Sequence, residues 1–220
     1  MSVKIPNSID ELPNSEPRFI GTEVERVEDP HLVTGRTEFI DNMVMPGMLH
    51  CAILRSPHAH ARIVSIDTSA AEALPGVVAV LTRDDVLRWA NPMTTIPEGW
   101  AGHCLATERV RFVGEPVVAV AAKSRYVAED ALELITVEYE TLEANTDARR
   151  AADGSAPLLF EEKGTNTIFE RVFTWGEVDA AFAAADRVVT ESYRWHRLGA
   201  NPLETFGCIC LLYTSPSPRD

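Results

Sequence analysis

Arg111–Leu142, RFVGEPVVAVAAKSRYVAEDALELITVEYETL, decides the fold. Pro116 to Ala122 is an almost unbroken apolar run, which suits a strand covered on both faces. Ser124 follows as a helix cap, because its hydroxyl can satisfy a free N–H of the first turn. Val127, Ala131 and Leu134 then recur at steps of four and three, the spacing of one apolar helix face, with Glu129, Asp130 and Glu133 largely opposite. Ile135, Val137 and Tyr139 alternate with Thr136, Glu138 and Glu140, the two-residue period of a half-buried strand. Strand, helix, strand is the reading.

Upstream, Gly21 to Phe39 mixes charges with short apolar pieces, and an extended arm with turns at Asp29-Pro30 and Thr34-Gly35 is expected. Met45-Pro46-Gly47 marks a turn, and Met48 to Leu54 a strand. Ile63 to Ile66 reads as a strand, Asp67 or Thr68 caps a short helix over Ser69 to Leu74, and Pro75-Gly76 stops it before a buried strand, Val77 to Leu81. Thr82 caps a further helix with Asp84 and Asp85 in its first turn, where the helix dipole favours acids. A β-α-β layout thus occurs twice, around 63–81 and around 116–139, separated by a Pro-, Gly- and Trp-containing surface loop, Asn91 to His103. Downstream, Thr141 to Pro157 reads as a linker or a surface strap. A short strand is expected over Thr165 to Thr174, a helix over Gly176 to Ala185 with Val178 and Phe182 on its apolar side, and an alternating strand over Arg187 to Trp195.

The 220 residues suffice for one large domain or two small ones, and 45% apolar content for a core. A net charge of −13 argues against a phosphate-tracking surface and so against nucleic acid as partner. No apolar run approaches the roughly 20 residues of a membrane helix, and the polar N-terminus does not resemble a secretory signal. The four cysteines, Cys51, Cys104, Cys208 and Cys210, lack CxxC or zinc-finger spacing, so a cytoplasmic protein with reduced thiols is expected.

Candidate chemistry is sparse. His58 and His60 stand two apart and on a strand would share a face, as a metal pair would. No Cys or acid lies near as third ligand and His50 sits across a turn, so polar groups on a packed surface is the favoured reading. Glu115, in Gly114-Glu115-Pro116, is either a general base or an acceptor of backbone hydrogen bonds from a neighbouring loop. No companion base, nucleophile or metal cluster accompanies it, which favours a turn or interdomain contact. Cys51 lies in an apolar strand as a small hydrophobe, and Cys104 and Cys208 lack the tight four-thiolate spacing of an iron–sulfur cluster.

Gly47 to Thr82, Val113 to Leu142, Trp175 to Val189 and His196 to Ile209 together resemble the molybdenum hydroxylase large subunit, the family of xanthine dehydrogenase, aldehyde oxidase and aerobic carbon monoxide dehydrogenase. The resemblance implies an α+β fold: an α/β hammerhead domain with a mixed sheet and short helices over 20–142, then a linker over 143–164 and the truncated start of a molybdopterin-binding domain over 165–209. Residues 1–19 would be a mobile lead. His196 to Ile209 looks most like the carbon monoxide dehydrogenase branch. The segment around His58 would be structural, at the wall towards the cofactor domains, and Glu204 in Pro202-Leu203-Glu204-Thr205 would tie its strand in place. The family's molybdenum contacts, cofactor loops and active-site glutamate would all lie downstream, so no residue here is assigned a catalytic, cofactor-binding or metal-binding role.

The complete enzyme would use molybdopterin, as the cytosine dinucleotide form, and pass electrons to [2Fe–2S] clusters and FAD on a small and a medium partner subunit. It would act on a small-molecule substrate in a hetero-oligomer without inserting into a membrane, and this piece alone would be inactive. Cys210 to Asp220, CLLYTSPSPRD, departs from the family pattern and resembles the translation of a sequencing-library adapter, so the natural protein is expected to run on past Ile209. The rival reading is a free-standing, non-catalytic α+β binding module.

Overall fold

The computed structural model describes residues 25–195, 199, 201, 202, 204 and 206–210. It divides into two compact units, residues 45–194 and residues 1–44 with 195–220. The expected lead over 1–19 and nearly all of the adapter-like tail lie outside the described residues.

The smaller unit contains α1 (Asp29–Val33) and a 3-10 turn over Ile40–Asn42. Asp29-Pro30 does not make the turn in an extended arm that its dipeptide suggests. It opens α1, because proline at the first helical positions loses no needed donor and its fixed φ suits a helix.

The larger unit begins with the turn at Met45, where the Met48 N–H donates to the Met45 carbonyl (3.1 Å). The elements that follow are β1 (His50–Arg55), β2 (Ala61–Asp67), α2 (Ser69–Glu72), β3 (Val77–Leu81), α3 (Arg83–Trp89), β4 (Arg109–Val110), β5 (Pro116–Ala122), α4 (Arg125–Glu133), β6 (Thr136–Thr141), α5 (Ala148–Asp153), a 3-10 turn over Glu161–Lys163 and α6 (Val178–Ala184). The strands form two three-stranded sheets, ordered β1-β5-β3 and β4-β2-β6. Every ladder is antiparallel, so the expected mixed sheet is absent from the described residues. The reason lies in the two β-α-β segments. Each carries the chain from one sheet to the other instead of crossing over within one, so that β5 pairs with β3 while β6 pairs with β2.

As the apolar run implies, β5 is central, with Val117, Val118 and Val120 fully buried. The first two are adjacent and point to opposite faces, so both faces of the strand are covered. β3 is an edge strand, and Val78 and Leu81 remain exposed, contrary to the buried strand expected there. One core joins the sheets through Ala61, Ile63 and Val110 from one and the β5 valines from the other, with Ala131 and Ile135 beside them.

Ser124 caps α4 by accepting the Val127 N–H at 3.3 Å. The helix buries Ala128 and Ala131, with Leu132 packed beside the core, while Leu134 lies past the helix end and is exposed. The small residues let the helix lie close on β1 and β5. α2 is held at its start by Asp67, whose carboxylate accepts the Ser69 N–H (3.0 Å) and hydroxyl (2.6 Å). Gly76 then turns the chain at φ +102°, and a Cβ there would meet Val127 Cγ1 at 3.3 Å. At α3 the Asp85 carboxylate accepts the Thr82 N–H at 2.9 Å, the returning half of a capping box.

Beyond β6 the sequence pattern and the structure part. Residues 143–164 form a strap that includes α5, capped by Asp147 and ended by Gly154 in the left-handed region. Residues 165–174 and 187–195 are not strands, since alternation alone supplies no ladder partner. α6 forms as expected, but Val178 and Phe182 are exposed.

Candidate functional site

A polar constellation surrounds the corner that leads into β5. Gly114 adopts φ +89°, a conformation that L side chains rarely take, and so lets the chain reverse. The corner is bolted to the end of β1: the Gly114 N–H donates to Ser56 O (2.8 Å), the Ser56 N–H to Glu115 O (2.9 Å), and the Arg55 guanidinium to Gly114 O (2.9 Å). Ser56 turns the adjoining loop by donating its hydroxyl to His58 O and accepting the His58 N–H, each at 3.0 Å.

Glu115 folds back so that its carboxylate accepts the Arg111 N–H. Burial pushes its pKa above the ordinary carboxylate value, opposed by the Arg111 and Phe112 N–H groups and by the charge of Arg111. The Arg111 guanidinium, whose pKa burial lowers, reaches away from the corner. It donates to Leu159 O (3.2 Å) and lies 4.1 Å over the Phe160 ring. Phe160 packs against Trp100 at 5.3 Å, and the Lys163 ammonium lies 5.8 Å from the Trp100 ring centre. Corner, strap and the 91–103 loop are therefore latched by alternating cations and aromatic rings. A general base must face substrate; this carboxylate is committed to a backbone N–H, so the arrangement suits a structural lock.

The histidines do not converge. His58 meets the Tyr139 ring edge-on at 4.9 Å, whereas His60, 3% exposed, has Nδ1 2.8 Å from Glu143 O. A carbonyl only accepts, so Nδ1 carries the proton, and Nε2 is left buried without a hydrogen-bond partner. His50 starts β1 opposite Ala122. Among the described residues no three His, Cys, Asp or Glu side chains group as metal ligands. Cys51 lies on β1 as expected and faces outward, and partial burial pushes its thiol pKa up, away from a reactive thiolate. Cys104, Cys208 and Cys210 are exposed, the last two with sulfurs 3.8 Å apart.

In the smaller unit Glu204 Oε1 accepts the Ile40 N–H at 2.8 Å, and the described residues around it form no strand for it to tie. Beside this bond a cleft of about 200 Å³ is lined by Phe39–Asn42, Glu204, Phe206 and Gly207. No local pattern in the sequence singles out Arg111, Phe160, Trp100 and Lys163. They meet across long stretches of chain, beyond the reach of any helical or strand period.

The larger unit is thus an α+β domain of two interlocked antiparallel sheets with short helices. Residues 34–143 match the model of the aldehyde oxidase and xanthine dehydrogenase a/b hammerhead domain, and the chain belongs to that family. It is 40% identical over 195 residues to the nicotine 6-hydroxylase large subunit of Paenarthrobacter nicotinovorans, covering 86% of this chain and 24% of that one. It is also 40% identical over 203 residues to the carbon monoxide dehydrogenase large chain of Afipia carboxidovorans, covering 86% and 25%. A crystal structure of the Cu,Mo-CO dehydrogenase superposes with TM-score 0.59 at 40% identity, over 76% of this chain and 22% of that one. The chain spans about a quarter of the length of these curated relatives.

Proposed function

We propose that this chain supplies the hammerhead part of the molybdopterin-binding large subunit of a molybdenum hydroxylase, and that its role is scaffolding. The match of residues 34–143 to the hammerhead model carries the reading. In the complete enzyme, molybdopterin in its cytosine dinucleotide form would oxidise a small molecule, and electrons would pass to [2Fe–2S] clusters and FAD on a small and a medium subunit. The carbon monoxide dehydrogenase branch rests on the wording of His196 to Ile209, since the identity to that large chain, 40%, equals that to the nicotine 6-hydroxylase large subunit. The described residues do not fit the cofactor: the cleft by Ile40 presents the carboxylates Asp41 and Glu204, which would repel a pyrophosphate, and a second hollow is lined by Glu72 and Val77–Val80. No step of the chemistry is therefore assigned to them. No helix among the described residues is long and apolar enough to cross a membrane. The cytoplasmic location we propose rests on the cysteine spacing, which lacks a disulfide or zinc-site pattern.

Residues 20–142 would be the hammerhead, 143–164 its linker and 165–209 the start of the cofactor domain. Trp175 at 90% exposure and Tyr193 at 89% suit a stretch that packs on further parts of a large subunit better than a free-standing module. Replacing the hammerhead of a carbon monoxide dehydrogenase large chain by residues 34–143 tests the reading. The hybrid is expected to assemble with its molybdenum content retained. A soluble hybrid without molybdenum, or turnover of carbon monoxide, an aldehyde or a purine by the present chain alone, would overturn it.

A further inference from the structure

Residues 155–164, the far part of the strap, close on themselves. The Asn166 side chain accepts the Leu159 N–H (3.0 Å) and donates to Pro157 O (3.1 Å). The Lys163 N–H donates to Phe160 O (3.0 Å) and the Gly164 N–H to Glu161 O (3.1 Å). At the near end the Arg150 guanidinium donates to Ser155 O (2.9 Å), which ties the loop to α5. Gly154 and Gly164 bound it, at φ +79° and +66°. Such a loop holds its shape through its own bonds.

Its fastening to the sheets is of another kind. Among the described residues no main-chain hydrogen bond joins 157–164 to a strand. The ties are side chains: Arg111 on Leu159 O and the Phe160 ring, Phe160 on Trp100, and Lys163 on Glu98 O (3.4 Å). One pairing beneath the loop is poor. The Arg109 side chain is 13% exposed and its Nη1 is buried without a hydrogen-bond partner, Glu161 Oε2 standing 3.6 Å away. Closure thus keeps dry a guanidinium that opening would hydrate, which offsets part of what the Phe160 contacts contribute.

We propose that residues 155–164 are a clasp that opens and closes as one body about Gly154 and Gly164. Closed, it fixes where the chain beyond Gly164 leaves the domain; open, it frees that point and hydrates Arg109. The device is independent of the enzyme's substrate.

The test uses the full chain with Trp89, Trp175 and Trp195, exposed at 74, 90 and 88%, replaced by Phe, so that half-buried Trp100 reports alone. Arg111→Gln loosens the clasp without removing a neighbour of Trp100, and acrylamide quenching of Trp100 should rise towards that of the unfolded chain. The Leu159 amide should keep its protection against hydrogen exchange. Asn166→Ala cuts the loop's own bonds and supplies the unprotected value for that amide. Arg109→Met should lower the quenching below the parent's, because closure no longer dries a charge. Unchanged quenching in Arg111→Gln, loss of Leu159 protection there to the Asn166→Ala value, or quenching in Arg109→Met at or above the parent's overturns the proposal. A further measurement needs none of these variants. As urea rises below the unfolding transition, Trp100 should become open to quenching while the β5 and Leu159 amides remain protected. Exposure of Trp100 only with global unfolding overturns it.

Discussion

Glu115 accepts a backbone hydrogen bond, the role its sequence context favours over that of a general base. Its carboxylate closes the β5 corner on the Arg111 N–H, and burial raises its pKa above 4.5. The sign follows from proton linkage. Below 4.5 the carboxyl is protonated folded or unfolded, and between that value and the raised one the folded chain holds more proton. Stability from this group therefore falls as pH rises through that window and stays lower above it. Glu115→Gln keeps an oxygen to accept the Arg111 N–H and removes the charge. The variant should melt no lower than the parent at pH 7, with its advantage shrinking towards pH 4.5. Thermal melts from pH 4.5 to 8 check this, and an advantage that grows as pH falls would contradict it. Asp67 and Asp153 act oppositely, since hydrogen bonds from Ser69 and Ser155 lower their pKa values. Their contribution is present above 3.8 and lost as pH drops through the lowered values.

At the scale of elements, α4 is the helix most completely written in its own sequence. Ser124 caps it and small residues form its buried face, so Ser124→Ala should cost about 1 kcal/mol, read as a shift in the denaturant midpoint with unchanged slope. Local signals of this kind make the caps at Ser124 and Thr82, the turn at Met45 and the centrality of β5 legible in the residues alone. What such signals cannot disclose is pairing. The alternation over Arg187–Trp195 resembles that of β6, yet only β6 has β2 to pair with. The outward turn of Cys51 and the half-open edge at Val78 likewise depend on which strand lies next door. Glu115 is legible as an acceptor of backbone hydrogen bonds, but the reach of Arg111 to Phe160 depends on a strap that carries no periodicity of its own.

At the scale of the whole chain, the same topology forecasts how protection against hydrogen exchange is distributed. Every ladder of the larger unit spans the 91–103 loop, so no strand pair there can persist once the strands before it separate from those after it. The amides of β5, buried and bonded on both edges, should then exchange only through global opening and define the slowest class. Residues 166–194 differ in kind. Phe169, Val172, Phe173 and Val189 stand in solvent, and α6 buries no residue, so packing adds little to a seven-residue helix that is marginal in isolation. Their amides should exchange within the shortest labelling times, including those of Val188 to Tyr193. If instead 187–194 exchanged as slowly as β5, a ladder would have to exist there, and the strand expected from its alternation would be restored. Exchange at pH 7 followed by peptide mapping separates the two outcomes, because the contrast is between seconds of labelling and the lifetime of the folded domain.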